Sequence, residues 1–171
     1  AKGRPERLPA VVLVAGSGRE DRDEMVFGIP ILGQLAGAIA DAGFLVVRYD
    51  KRGIGLSGGR VESATLDDYA TDVISIVNWL RRRTDVDPNR IAVVGHSEGG
   101  AVAMLAADRE GRIEAVGLVA TPGLTGRETF ALTGAGAALR PRTLVAVTAT
   151  ADDGSTKTFQ AMCRIDTPEE L

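Results

Sequence analysis

Three observations in the sequence predict an α/β fold, a mostly parallel sheet with helices on both faces. Short apolar runs such as Val11 to Ala15 and Ile91 to Val94 alternate along the chain with helical patterns. Those runs are apolar throughout and do not alternate with polar residues, so both faces of the strands are expected to be covered. The order strand, helix, strand, helix, strand, helix, strand is what right-handed βαβ units produce.

The elements follow in chain order. Val11-Val12-Leu13-Val14-Ala15 is rich in β-branched residues and is stopped by Gly16-Ser17-Gly18. Residues 31–42 predict a helix of small and apolar residues ending at Gly43. Phe44 to Tyr49 is a second strand, leading into the turn-rich stretch Asp50 to Gly59. Over residues 66–83, Leu66, Tyr69, Ala70, Val73, Val77 and Leu80 recur at helical spacing on one face. Thr65 and Asp68 have the spacing of a capping box in front of that helix. Arg81, Arg82 and Arg83 close it, where cations suit the helix dipole. Asp87-Pro88-Asn89 predicts a turn, Ile91 to Val94 a third strand and residues 98–109 a third helix. Ala115 to Ala120 is a fourth strand, ended by Thr121-Pro122-Gly123. Residues 131–139 are Ala/Gly-rich, Thr143 to Thr150 predicts a fifth strand, and the tail past Asp152 carries no assigned element.

Composition narrows the class. At 171 residues the whole chain, 1–171, is expected to be one domain with a sizeable core, and 44% hydrophobic content is ordinary for a globular protein. A net charge of −3 without a basic stripe argues against nucleic acid as a partner. Cys163 is the only cysteine, so an internal disulfide is excluded, and with no histidine near it in sequence it is expected to be structural or incidental. No apolar run is long enough to span a bilayer, so no membrane partner is expected. The start, Ala-Lys-Gly-Arg-Pro, lacks the apolar core of a signal peptide, which makes the cytoplasm the default expectation.

The chemistry centres on Gly95-His96-Ser97-Glu98-Gly99, a G-x-S-x-G run between a predicted strand and a predicted helix. A serine hydroxyl is a weak nucleophile and must be presented to the substrate. A sharp strand-to-helix turn does so, and flanking glycines let the chain pack closely around it. The competing reading is a glycine-rich turn with an incidental serine. Gly16-Ser17-Gly18 is the second element. An acyl-transfer intermediate needs N–H donors for its oxyanion. One is expected from Glu98, the residue after the serine, and the other from Ser17, with Gly18 as the alternative. A dinucleotide-binding G-x-G-x-x-G fails because Asp21 stands at the third glycine, and there is no phosphate-binding G-x-x-x-x-G-K-[ST] run. No cofactor or metal is expected.

A third stretch, Arg48-Tyr49-Asp50-Lys51-Arg52-Gly53-Ile54-Gly55-Leu56-Ser57, resembles the R-x-D-x-R-G-x-G-x-S segment of α/β-hydrolases. Gly16 to Glu24 resembles the G-S-G-x-x-D-R-D-E start of a bacterial esterase or serine-aminopeptidase-like subgroup, and Gly95 to Gly100 its G-H-S-E-G-G elbow. Thr121-Pro122-Gly123 falls where that subgroup has a similar turn. The resemblance covers about residues 9 to 125. It implies an α/β-hydrolase fold, shortened here, and hydrolysis of a small-molecule carboxylic ester through a Ser97 acyl-enzyme. It also implies that Asp50 and Arg52 shape the loop beside the site and do not react. Lys51 as base of a Ser-Lys dyad is the minor alternative.

The chain departs from the family pattern in its base. This fold uses Ser, then an acid, then His in chain order. The single histidine, His96, precedes the serine, and adjacent side chains at a strand end diverge, so His96 is expected to pack beneath the elbow. Asp152 or Asp153, just past the predicted fifth strand, stands where the family has its acid. There is little room for a helical cap, and the family's N-terminal hairpin and last strand have no counterpart. The expectation is a serine esterase of low activity. The alternative is an inactive, shortened hydrolase fold serving as a binding or assembly module. A sheet cut short leaves an edge strand and an apolar face, which favours pairing with another copy as a homo-oligomer.

Overall fold

The computed structural model describes residues 7–123 and two further strands, 144–150 and 156–162. The chain divides into two compact units, Ala1–Thr121 and Pro122–Leu171.

In the first unit, β1 (Leu8–Val14), β4 (Leu45–Arg48), β5 (Val86–His96) and β6 (Ala115–Val119) form a four-stranded sheet in the order β4-β1-β5-β6. All three pairings are parallel. The four strands and the three helices α1 (Ile31–Asp41), α2 (Leu66–Arg81) and α3 (Glu98–Arg109) are those the sequence predicts, to within a few residues. Strand periodicity explains the two-sided core. Ala10, Val12 and Val14 of β1 pack with buried residues of α2 and α3. Val11, Leu13 and Ala15 point the other way and pack with Leu32 and Ala36 of α1. That is why β1 is apolar without alternation.

Helix α2 buries Tyr69, Ala70, Val73, Val77 and Leu80, as the 3.6-residue spacing requires. A fully buried Val or Leu side chain contributes about 1.5–3 kcal/mol. The capping box is present: Thr65 accepts from Asp68 N–H, and the Asp68 side chain accepts from Thr65 N–H. Helix α1 stops where Gly43 (φ 91°) turns left-handed and returns its N–H to Ala40 O at 2.9 Å.

Two features differ from expectation inside this unit. A minimal hairpin, β2 (Met25–Val26) with β3 (Ile29–Pro30), precedes α1. Strands of two residues are too short to produce a period. The turn at Asp87-Pro88-Asn89 lies within β5: pairing with β1 jumps from Leu8↔Val86 to Ala10↔Ile91, so the intervening residues bulge out. Asn89 N–H donates to Asp87 Oδ1 across that bulge at 3.0 Å.

In the second unit, β7 (Leu144–Thr150) pairs antiparallel with β8 (Thr156–Met162). The predicted strand at 143–150 exists, but its partner is β8 in a separate two-stranded sheet and not the parallel sheet. Antiparallel neighbours need only a short connection, so a local partner wins over a long crossover.

The topology marks one place for a ligand. From β1 the chain passes through α1 to β4 on one side, while β5 continues through α3 to β6 on the other. The carboxyl ends of β1 and β5 are therefore the switch point of the sheet, where open α/β sheets bind ligands. Gly16 and Ser97 stand there, just past β1 and β5.

Candidate active site

Ser97 is the single residue between β5 and α3. Its backbone lies at φ 51°, ψ −119°, a left-handed conformation that costs a non-glycine residue about 1–3 kcal/mol. Its N–H donates to Val119 O of β6 at 2.9 Å, and its carbonyl accepts from Gly100 N–H at 3.1 Å. These bonds and tight packing hold the strained turn. A Cβ on Gly95 would strike Gly99 O, one on Gly99 would strike Val14 O, and one on Gly100 would strike the Thr121 side chain. Ser97 occupies the N-cap of α3 without capping it through its side chain. Its hydroxyl has no hydrogen-bond partner among the described residues.

The loop after β1 lies against this serine. A Cβ on Gly16 would sit 3.2 Å from Ser97 Cβ. Gly16 is buried, whereas Ser17 and Gly18 are exposed. Their N–H groups have no acceptor among the described residues, and Glu98 N–H, at the first turn of α3, has none within the helix. An open cleft of about 490 Å³ includes both Gly18 and Glu98 in its wall. Val61, Ala64, Leu66 and Tyr69 give it an apolar side.

His96, expected to pack beneath the elbow, makes no hydrogen bond to Ser97 among the described residues. Its Nδ1 lies 2.7 Å from Glu24 Oε1. The bond to Glu24 raises the His96 pKa above its ordinary value, against the opposing effect of burial. The same Glu24 oxygen accepts Gly16 N–H at 2.9 Å, while its other oxygen, Oε2, is buried with no partner among the described residues. Glu24 itself sits at φ 48°. This residue ends the G-S-G-x-x-D-R-D-E run, but sequence reasoning gave it no role. It is the last of four acids in that run, Glu20, Asp21, Asp23 and Glu24, and its spacing does not set it apart; in the turn, Asp21 Oδ1 accepts from Asp23 N–H and Glu24 N–H.

In the Asp50 to Ser57 segment Asp50, Lys51 and Arg52 are all held in ion pairs. Asp50 accepts Arg22 Nε at 2.9 Å and Nη2 at 2.7 Å, together with Arg22 N–H and Leu56 N–H. The Arg22 bond holds the Asp50 carboxyl well below the usual carboxylate range. Gly55 (φ 52°) is required here, since a Cβ would collide with the Asp50 carboxylate. Arg52 forks onto Asp72 with two bonds of 2.8 Å. Lys51 is buried, and its Nζ donates to Gly16 O at 2.7 Å and to Glu98 Oε1 at 3.1 Å. It makes no hydrogen bond to Ser97 among the described residues. Asp152 and Asp153, the expected acids, lie outside the described residues.

A family model described as serine aminopeptidase, S33, matches residues 30–158. Esterase EstD of Thermotoga maritima is 34% identical over 118 residues, covering 67% of this chain and 27% of EstD. The chain spans about a quarter of the length of the curated relatives it matches. Among solved structures, the alpha/beta hydrolase GrgF from Penicillium sp. sh18 superposes with a TM-score of 0.61 at 24% identity, over 88% of this chain and 53% of that one. Est1E from Butyrivibrio proteoclasticus, solved with ferulic acid, superposes with a TM-score of 0.56 at 22% identity, over 92% of this chain and 60% of that one. Among the described residues no helix is long and apolar enough to cross a membrane.

Proposed function

Because the chain belongs to the serine aminopeptidase S33 family and has the α/β-hydrolase fold, we propose that it is a serine hydrolase that cleaves carboxylic esters through an acyl-enzyme on Ser97. One observation carries the reading: a serine held at φ 51° on a strand-to-helix turn at the switch point of the sheet. The similarity to the esterase EstD supports the ester over the peptide as substrate.

In this proposal Ser97 Oγ attacks the ester carbonyl carbon, and its proton passes through solvent water to the oxygen of the departing alcohol. The oxyanion is taken by Glu98 N–H and by Ser17 N–H, with Gly18 as the alternative second donor. Collapse expels the alcohol, and water then attacks the acyl-serine to release the acid. The apolar side of the cleft is assigned to the hydrocarbon part of the substrate. His96 is not assigned as base, since it makes no hydrogen bond to the Ser97 hydroxyl among the described residues. Asp152 or Asp153 remains the proposed acid. The 171 residues hold no histidine after Ser97, so slow turnover is expected of them. Oxyanion donors and binding alone still leave roughly 10³–10⁴-fold catalysis over water when triad members are lost.

A second reading, a non-catalytic binding module of the same fold, is favoured by the absence of any proton acceptor on the Ser97 hydroxyl among the described residues. A fluorophosphonate probe separates the two. Labelling that maps to Ser97 and disappears in Ser97→Ala supports the hydrolase. Folded protein that takes no label supports the binding module.

A further inference from the structure

We infer that Lys51 is a positioning residue whose ammonium holds and polarises the Gly16–Ser17 peptide, so that Ser17 N–H faces the oxyanion formed at Ser97; the inference rests on the hydrolase reading above. A lysine is seldom buried, because desolvating its charge is costly. Here the side chain is only 4% exposed. Three groups surround its ammonium. One is Gly16 O at 2.7 Å, one is Glu98 Oε1 at 3.1 Å, and the Tyr69 ring lies 4.4 Å away, centroid to Nζ.

The first of these bonds has a consequence for the neighbouring residue. The carbonyl of Gly16 and the N–H of Ser17 belong to one planar trans peptide and point in opposite directions. Fixing Gly16 O against a buried cation therefore fixes the direction of Ser17 N–H, away from Lys51. The positive charge on the carbonyl side also draws electrons through the amide and strengthens the N–H as a donor, as in other hydrogen-bond chains. The preceding peptide is fixed as well, because Gly16 N–H is held by Glu24. Gly16 is thus clamped at both ends, its N–H by the Glu24 carboxylate and its carbonyl by the Lys51 ammonium. The second Lys51 bond reaches the side chain of Glu98, whose backbone N–H is the other proposed donor. One buried ammonium thereby ties together the two segments that supply both donors. A buried ion pair is poor evidence of stability for its own sake. Its position between two segments 47 residues or fewer from Lys51 in sequence, both at the nucleophile, gives it a use.

The test combines kinetics of Ser97 phosphonylation by a fluorophosphonate with amide spectra of the ¹⁵N-labelled chain before and after reaction. In the parent, the Ser17 and Glu98 amide protons are expected to move downfield as the phosphonyl oxygen enters the site. In Lys51→Met, the Glu98 shift is expected to persist and the Ser17 shift to be lost. The phosphonylation rate constant should fall roughly 10–100-fold, less than the 10²–10³-fold cost of deleting an oxyanion donor outright, with reversible probe binding unchanged. Lys51→Gln retains a neutral donor and is expected to fall between parent and Lys51→Met, so it decides the matter if Lys51→Met does not fold. A parent-like rate and Ser17 shift in a folded Lys51 variant would overturn this inference and leave the hydrolase reading standing. A parent that takes no label would overturn both.

Discussion

Glu24 joins two segments through one atom. Its Oε1 accepts Gly16 N–H from the turn after β1 and lies 2.7 Å from His96 Nδ1 at the end of β5. The bond raises the His96 pKa in the folded chain. A group whose folded pKa lies above its unfolded value stabilises the fold fully below the unfolded pKa, about 6.5 for histidine, and loses that contribution as pH rises through the folded pKa. His96→Gln is therefore expected to lower the melting temperature most below about pH 6.5, with the gap to the parent narrowing at higher pH. Its Ser97 labelling should stay near the parent's. A melting temperature unchanged at every pH with labelling lost would mean that His96 is the base. Ser97 and the 16–18 loop were legible in the sequence because each motif is local. Glu24 and Lys51 were not, because their partners lie up to 72 residues away and no spacing announces them.

Among the elements, α2 was the most legible. Its apolar stripe and its Thr65/Asp68 start both survive in the structure, since a helix carries its period and its cap in consecutive residues. Removing the cap should be measurable: Thr65→Ala is expected to cost about 1 kcal/mol, lowering the melting temperature by roughly 2–4 °C without altering the rate of Ser97 labelling. A slower labelling rate would mean that the α2 start is coupled to the site through Arg52, which bonds Asp68 O and Asp72. Strands were legible by composition but not by partner. The β1 core follows from an apolar run, whereas nothing in Leu144–Thr150 says that it will pair with Thr156–Met162 instead of a parallel neighbour. The bulge in β5 shows the same limit, because Pro88 reads as a stop when it is only an interruption.

For the molecule as a whole, the fold places three separate segments at one edge: the turn after β1, the Asp50 loop after β4 and the elbow after β5. They are cross-linked by Arg22–Asp50, Lys51–Gly16 and Glu24–His96. This convergence at the switch point is what makes a covalent intermediate on Ser97 the central claim. No histidine follows Ser97 in these 171 residues, so an acyl group placed on Ser97 should leave slowly and accumulate. The most direct measurement is therefore peptide-mapped mass spectrometry of the chain after incubation with p-nitrophenyl acetate, alongside Ser97→Ala. An acetyl group on Ser97 itself, formed with one equivalent of released nitrophenol and absent from the variant, is the predicted result. A folded parent with Ser97 unmodified, or with the same adducts as Ser97→Ala, would contradict it.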